Sequence, residues 1–323
     1  MKPLTLMCLC AASFVFAMQP ASAQKKYPER PVRIILPFGA GGVGDVMTRI
    51  VADKLSQTLG QRFVVENNPG AGGIIAARRV LQSPADGYTL AYLANATALS
   101  VALFEKLPFD PIKDFEPVSS MGYFDLIFVT AANSPYKTLD DFIKAAKERP
   151  SQLNVGTIVA GSMQNLGVEL LKSTLDLNFV IVPFRNSGEV LIALERNDVQ
   201  MAAEFYAALR GGIEANKFIP IGTSGVRRTQ YLPSAPTMKE AGAGDFEVTG
   251  WSGIFAPAGT PSEVIKTLNA SMKNILSDPE VKKKALELGI EAGGSTPEDL
   301  HNRFRTDIGK WSKVIEKAGI KKQ

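Results

Sequence analysis

Val32-Arg-Ile-Ile-Leu36 runs straight into Pro37-Phe-Gly-Ala-Gly-Gly-Val-Gly-Asp45, and this junction decides the fold. The first five residues are an apolar, β-branched run, the pattern of a buried strand. Past the glycines, Met47, Ile50, Val51, Leu55 and Leu59 recur at helical spacing. Strand, glycine turn and helix make half of a βα unit, and the unit repeats outward. Phe63-Val-Val65 reads as a second strand, and Gly70-Ala-Gly-Gly73 opens another helix through Ile75 and Val80. Tyr88 to Leu93 is a third strand, ending at Ala94-Asn95-Ala96. This order predicts an α/β fold with a mostly parallel sheet covered by helices on both faces.

The pattern restarts after an extended crossing segment, Phe115 to Met121. Leu126 to Val129 is a strand, and Thr138-Leu-Asp-Asp141 is a capping box for the next helix. Leu153-Asn-Val155 leads into Gly156-Thr-Ile-Val-Ala-Gly-Ser162 and a helix from Met163 to Leu175. Val180–Val182 and Val199–Ala203 supply further strands, and Phe246 to Phe255 is a second crossing. Thr260-Pro261 and Thr296-Pro297 each pair an N-cap residue with proline at the first helical position. These signals predict two α/β domains with a cleft, joined by two crossing strands. One is discontinuous, residues 24–124 plus 247–323, and the other, 125–246, is inserted into it.

Both glycine loops sit between a strand and a helix start. Unpaired N–H groups and the positive end of the helix dipole suit such a place to an anion. Asp45 is placed to cap the first helix and Ser162 the second. One helix start per domain would then face the other across the cleft, beyond the carboxyl ends of the strands. Gly39-x-Gly41-x-x-Gly44 also matches a dinucleotide fingerprint, with Glu66 at a suitable distance on the next strand. An oxidoreductase using that loop is the enzyme alternative. Downstream, the sequence offers no catalytic partner for it, and the single histidine, His301, lies in a polar helical stretch. Neither a Gly-x-Ser-x-Gly elbow nor a P-loop occurs.

The ends bound the compartment. Met1-Lys2, the uncharged run Leu4 to Met18 and Ala21-Ser22-Ala23 predict a signal peptide, residues 1–23, cleaved after Ala23. Cys8 and Cys10 fall inside it, so the mature chain is read as free of disulfides and thiolate metal sites. The formal charge of +4 falls to +3 when Lys2 leaves with the leader. So small a balance, without a basic stripe, argues against nucleic acid as a partner.

Many of these residues in this order resemble the Bug (TctC-type) extracytoplasmic solute receptors of tripartite tricarboxylate transporters. The resemblance rests on Tyr27-Pro28 with Pro31-Val32-Arg33, the 37–45 loop, Glu66-Asn67-x-Pro-Gly-Ala-Gly-Gly73 and Pro84-x-Asp86-Gly87-Tyr88-Thr89-Leu90. It continues through Leu107-Pro-Phe-Asp110, Asp114-Phe-Glu-Pro-Val118, Leu232-Pro-x-x-Pro236-Thr237 with Glu240-Ala-Gly242, and Ala256-Pro-Ala-Gly-Thr-Pro261. It implies a type II periplasmic-binding-protein fold and a receptor, not an enzyme. Such a receptor would bind a dicarboxylate, aromatic acid or amino-acid-like ligand in the periplasm and deliver it to integral-membrane permease subunits. No cofactor is expected, and one histidine without a mature cysteine argues against a metal site. The chain is expected to act as a monomer, and the alternative to transport is a ligand sensor that feeds a signalling partner. By position, Phe38, Ala40, Gly41 and Gly42 match the first binding loop, and Thr157, Ala160, Gly161 and Ser162 the second. Asn95, at the end of the third strand, joins them. Two departures stand out: Arg185 is followed by Asn186-Ser187, and Glu204 replaces an aspartate. Glu204 is read either as a ligand contact or as a structural partner for Arg185 or a helix end. Arg185 is read either as a ligand contact or as structural, paired with Glu204 or holding the strand end.

Overall fold

The computed structural model describes residues 27–322. Residues 1–23, read from the sequence as a signal peptide, lie outside the described residues. Strand β1 (Val32–Leu36) is buried at every position but Arg33 and pairs in parallel with β2 (Phe63–Asn67) and β3 (Thr89–Ala94). Helix α1 (Val43–Leu59) and the shorter α2 (Ile74–Leu81) follow β1 and β2, the latter after a 3-10 turn at Ala71–Gly73. Helix α3 (Asn95–Leu103) begins at the residue after β3.

Strand β4 (Phe115–Ala131) then runs unbroken for 17 residues. The sequence suggests a crossing segment and a separate strand here, and the structure corrects this to one element. From Phe115 to Asp125 it lies antiparallel to β9 (Thr249–Pro257), which also pairs with β3. From Leu126 onward it lies between β7 (Met201–Phe205) and β8 (Phe218–Thr223), antiparallel to both. Strand β5 (Asn154–Ile158) completes the second sheet, parallel to β6 (Val180–Phe184) and β7. Asp125 is thus the last residue of β4 paired to β9, and Leu126 the first paired to β7.

Helices α4 (Leu139–Glu148), α5 (Met163–Thr174), α6 (Ser187–Glu195) and α7 (Tyr206–Glu214) belong to the second sheet. The capping box at Thr138 forms: its side chain accepts from the Asp141 N–H, and Asp141 reaches back to the Thr138 N–H. Beyond β9 come α8 (Ser262–Ser277), α9 (Pro279–Glu287), β10 (Glu291–Ala292, paired with β4) and α10 (Pro297–Lys317). Thr296 caps α10 as its sequence suggests, but α8 starts at Ser262 and Thr260 instead donates its hydroxyl to the Pro257 carbonyl.

Each sheet has its own core, and α10 joins them. Leu300 and Phe304 pack with Trp251 and Phe255 of the first lobe, the Trp251 and Phe304 rings 5.2 Å apart. Two to three turns on from Phe304, Trp311, Val314 and Ile315 pack with Leu166, Leu171 and Phe246 of the second. The last turns of the chain therefore leave the lobe in which the sequence reading puts them. Among the described residues no helix is long and apolar enough to cross a membrane.

Candidate functional site

The first loop is fixed from within. Gly41 has φ +89°, a conformation a side chain would strain, and its N–H donates to Asp45 Oδ2 at 2.9 Å. Asp45 therefore ties the loop down and does not cap α1, whose N-cap residue, Gly42, has no side-chain partner. Arg49 makes two bonds to the same carboxylate, and that guanidinium holds it down at about 2. Asn67, at the end of β2, donates both to Asp45 Oδ1 and to the Phe38 carbonyl.

The second loop repeats this construction. Gly161 has φ +79°, and its N–H donates to Asn165 Oδ1 at 3.0 Å. Ser162 accepts from the Asn165 N–H, the N-cap bond its sequence suggests, and Asn165 Nδ2 reaches Thr157 Oγ1. In both loops a positive-φ glycine is held by an Asx side chain four residues on. Sequence reasoning missed Asn165 and Asn67, although the shared Gly-x-x-x-Asx spacing was there to be read.

Between the lobes lies a cavity of about 560 Å³. Phe38, Asn95, Ala160, Gly161 and Ser162 all line it, so one crevice gathers candidates from both loops and from the start of α3. Three helix starts open on it: Gly73-Ile74 of α2, Asn95 to Thr97 of α3, and Ser162 to Gln164 of α5. Asn95 is buried and donates to the Met163 sulfur at 3.0 Å, a contact across the lobes. Phe38 packs edge-on against Tyr92, whose hydroxyl, bonded to Ser252, is pushed up to about 12 by burial and stays protonated.

The other candidates sit elsewhere. Ala40, Gly41 and Gly42 are exposed at the tip of the first loop. Next to them Val43 and Gly44 line a second cavity of about 160 Å³, which shares Tyr92, Phe124 and Phe205 with the larger one. Thr157 is fully buried beneath its loop, bonded to Asn165. Arg185 points to solvent at the end of β6, and only its backbone is engaged, donating to Glu189. The Arg185–Glu204 ion pair expected as one alternative is not formed. Glu204 turns instead toward α5 and α6, where Gln164 Nε2 and the Phe205 N–H donate to its Oε2 and the Ser187 hydroxyl lies close by.

Glu204 is 1 % exposed, and its Oε1 is the one buried side-chain oxygen without a partner among the described residues. Burial raises its pKa. Burial therefore weighs against its charge, and a neutral isostere is tolerated there. Glu204→Gln is expected to keep the melting temperature at pH 8 or raise it by about 2–4 °C. Through Gln164, which lines the cavity, it should shift the relative affinity of two ligands several-fold. Calorimetry and thermal melts check this, and a lower melting temperature with unchanged preference assigns Glu204 to the framework alone.

Glu66 bears on the dinucleotide alternative. Its carboxylate accepts from Arg33 at 2.7 Å and Arg79 at 2.8 Å, so the acid that would hold a ribose is already engaged. His301 lies on α10, outside the cavity.

Comparison with known proteins agrees with this architecture. Residues 47–320 match the family model described as tripartite tricarboxylate transporter family receptor. The Bordetella pertussis protein BugT is 31 % identical over 304 residues, 94 % of this chain and 93 % of BugT. The structure of Rpa4515 from R. palustris with adipate is 31 % identical, covers 92 % of this chain and 100 % of its own, and has a TM-score of 0.78. MatC from Rhodopseudomonas palustris with bound malate is 30 % identical over 90 % of this chain and 100 % of its own, with a TM-score of 0.71. A match over nearly its whole described length, in sequence and in fold, places the chain in the tripartite tricarboxylate transporter receptor family, the receptors of TctC or Bug type.

Proposed function

We propose that this receptor captures a small organic carboxylate in the periplasm and hands it to the integral-membrane permease subunits of a tripartite transporter. It acts as a monomer and makes or breaks no bond. The observation that carries the reading is the convergence of the α2, α3 and α5 starts on one cavity between two lobes. Helix N-termini offer unpaired amides and a partial positive charge, which suit a carboxylate without any cationic side chain. The adipate and malate in the two similar structures support the same ligand chemistry.

The contacts are assigned to Phe38, Asn95, Ala160, Gly161 and Ser162, with the Gly42 end of α1 joining as the lobes close. The lobes are taken as 24–124 plus 247–323 and 125–246, with the last turns of α10 docked on the second, turning about β4 and β9. Export follows from the leader, cleaved after Ala23. A thermal-shift screen of mono-, di-, tricarboxylic and aromatic acids tests the reading. A ligand at a hundred times its Kd stabilises the native state by about 2.7 kcal/mol, a shift of several degrees. No stabilisation by any acid overturns it.

A further inference from the structure

The larger cavity carries no formal charge on any of its described lining residues. Part of its wall is the core of the first lobe: Ile35, Ala77, Ala91 and Leu93 are each 5 % exposed or less. Leu107 and Phe109, from the segment between α3 and β4, line it as well. The space is large for its polarity, since a dry cavity of ~150 Å³ already takes a benzene ring, against about 560 Å³ here.

We infer that the ligand is an acid with a single carboxylate on an apolar body, of the aromatic or medium-chain aliphatic class, and that diacids and triacids bind poorly. This rests on the receptor reading above. The helix starts answer one carboxylate. A second would be carried against apolar wall with no cation to pair it, and an unpaired buried charge is strongly disfavoured. The polar groups nearest that wall discriminate in the same direction. Gln164 spends its amide donor on Glu204, which leaves its carbonyl oxygen, an acceptor, for the cavity and nothing there to receive a second anion. An apolar body instead gains with every CH₂ it removes from water.

Titration calorimetry on the purified chain tests this with benzoate, phenylacetate and octanoate against succinate, adipate, malate and citrate. The best monoacid is expected to bind at least tenfold tighter than any diacid or triacid. Its heat-capacity change should be clearly negative, the mark of apolar burial. A diacid or triacid tighter than every monoacid overturns this inference and leaves the receptor reading standing. Binding by no acid at all strikes the receptor reading itself. Leu107→Arg, at a partly exposed position, localises the effect. It should weaken the best monoacid about tenfold and strengthen adipate, with the melting temperature unchanged. Affinities that do not move in this folded variant put the apolar body elsewhere and refute the assignment.

Discussion

Gly42→Asp is expected to weaken ligand binding at least a hundredfold while the melting temperature stays level or rises slightly. Gly42 is the N-cap of α1, with φ −74° and ψ 164°, an ordinary extended conformation open to any residue. It is exposed, and a Cβ there meets nothing within 4 Å. The backbone freedom that glycine supplies is needed one residue earlier, at Gly41. Aspartate is among the best N-cap residues, worth about 1 kcal/mol to the helix. Its carboxylate would therefore settle on the first amides of α1, the donors assigned to the ligand. A fixed anion there both occupies the donors and repels the incoming one, in addition to Asp45, which stays ionised in parent and variant alike. Together these effects amount to about 3 kcal/mol, a hundredfold in Kd. Gly42→Ala adds volume without charge and should bind like the parent. Calorimetry on the two variants separates the causes. Unchanged affinity in the aspartate variant removes α1 from the site and leaves the α3 and α5 starts as the anion holders.

How much of this could be read in advance differs between loop and side chain. Helix starts and glycine turns are written locally, so the two loops, the Ser162 cap and the Thr138 capping box were legible. The direction of an isolated charge was not. Arg185 lies at a strand end, where one residue of register decides whether a side chain faces a cleft or water. Glu204 was singled out, but its partners come from α5 and α6, 40 and 17 residues away in the chain, and no local pattern announces them. Helix α3 was invisible for a related reason: Asn95-Ala-Thr-Ala-Leu-Ser-Val-Ala-Leu103 has no broad polar face, because Ala98, Leu99 and Ala102 are all buried.

The continuity of β4 was hidden by irregularity. Its pairing with β9 shifts register between Pro117 and Ser119 and again between Ser120 and Gly122. Proline and bulges break the alternation by which a strand is recognised. Buried Ser119 and Ser120 add polar residues, which are satisfied by Ser295 and the Gly293 carbonyl. Two crossing strands were expected between the lobes; the single long strand that changes sheets between Asp125 and Leu126 was not. That change of sheet puts one carboxylate where both lobes meet.

Asp125→Asn is expected to flatten the pH dependence of stability and to stabilise the protein at pH 8 by several degrees. Asp125 is 8 % exposed and lines a crevice of about 500 Å³ at the change of sheet. Thr249 on β9 donates to it, Gly225 after β8 packs against it, and the Tyr231 hydroxyl accepts from its backbone N–H. Glu291 on β10 and Glu247 before β9 face it, each already paired, with Arg227 and Lys310 respectively, and Arg303 of α10 lines the same crevice. Burial pushes the Asp125 carboxyl up to about 7, and the two glutamates add to the effect. Below about pH 4 the group is protonated in folded and unfolded chains alike and contributes no slope. Between about 4 and 7 the unfolded chain has lost the proton and the folded one keeps it, so stability falls by about 1.4 kcal/mol per pH unit. The loss is complete once pH passes the folded value, near 4 kcal/mol in all. An asparagine keeps the shape and removes the titration, so the variant should match the parent at pH 4 and exceed it at pH 8. Other titrating groups cancel in the difference between the two proteins. Urea melts at pH 4, 6 and 8 measure that difference, and parallel curves for parent and variant would show that Asp125 is ionised in the folded protein at neutral pH.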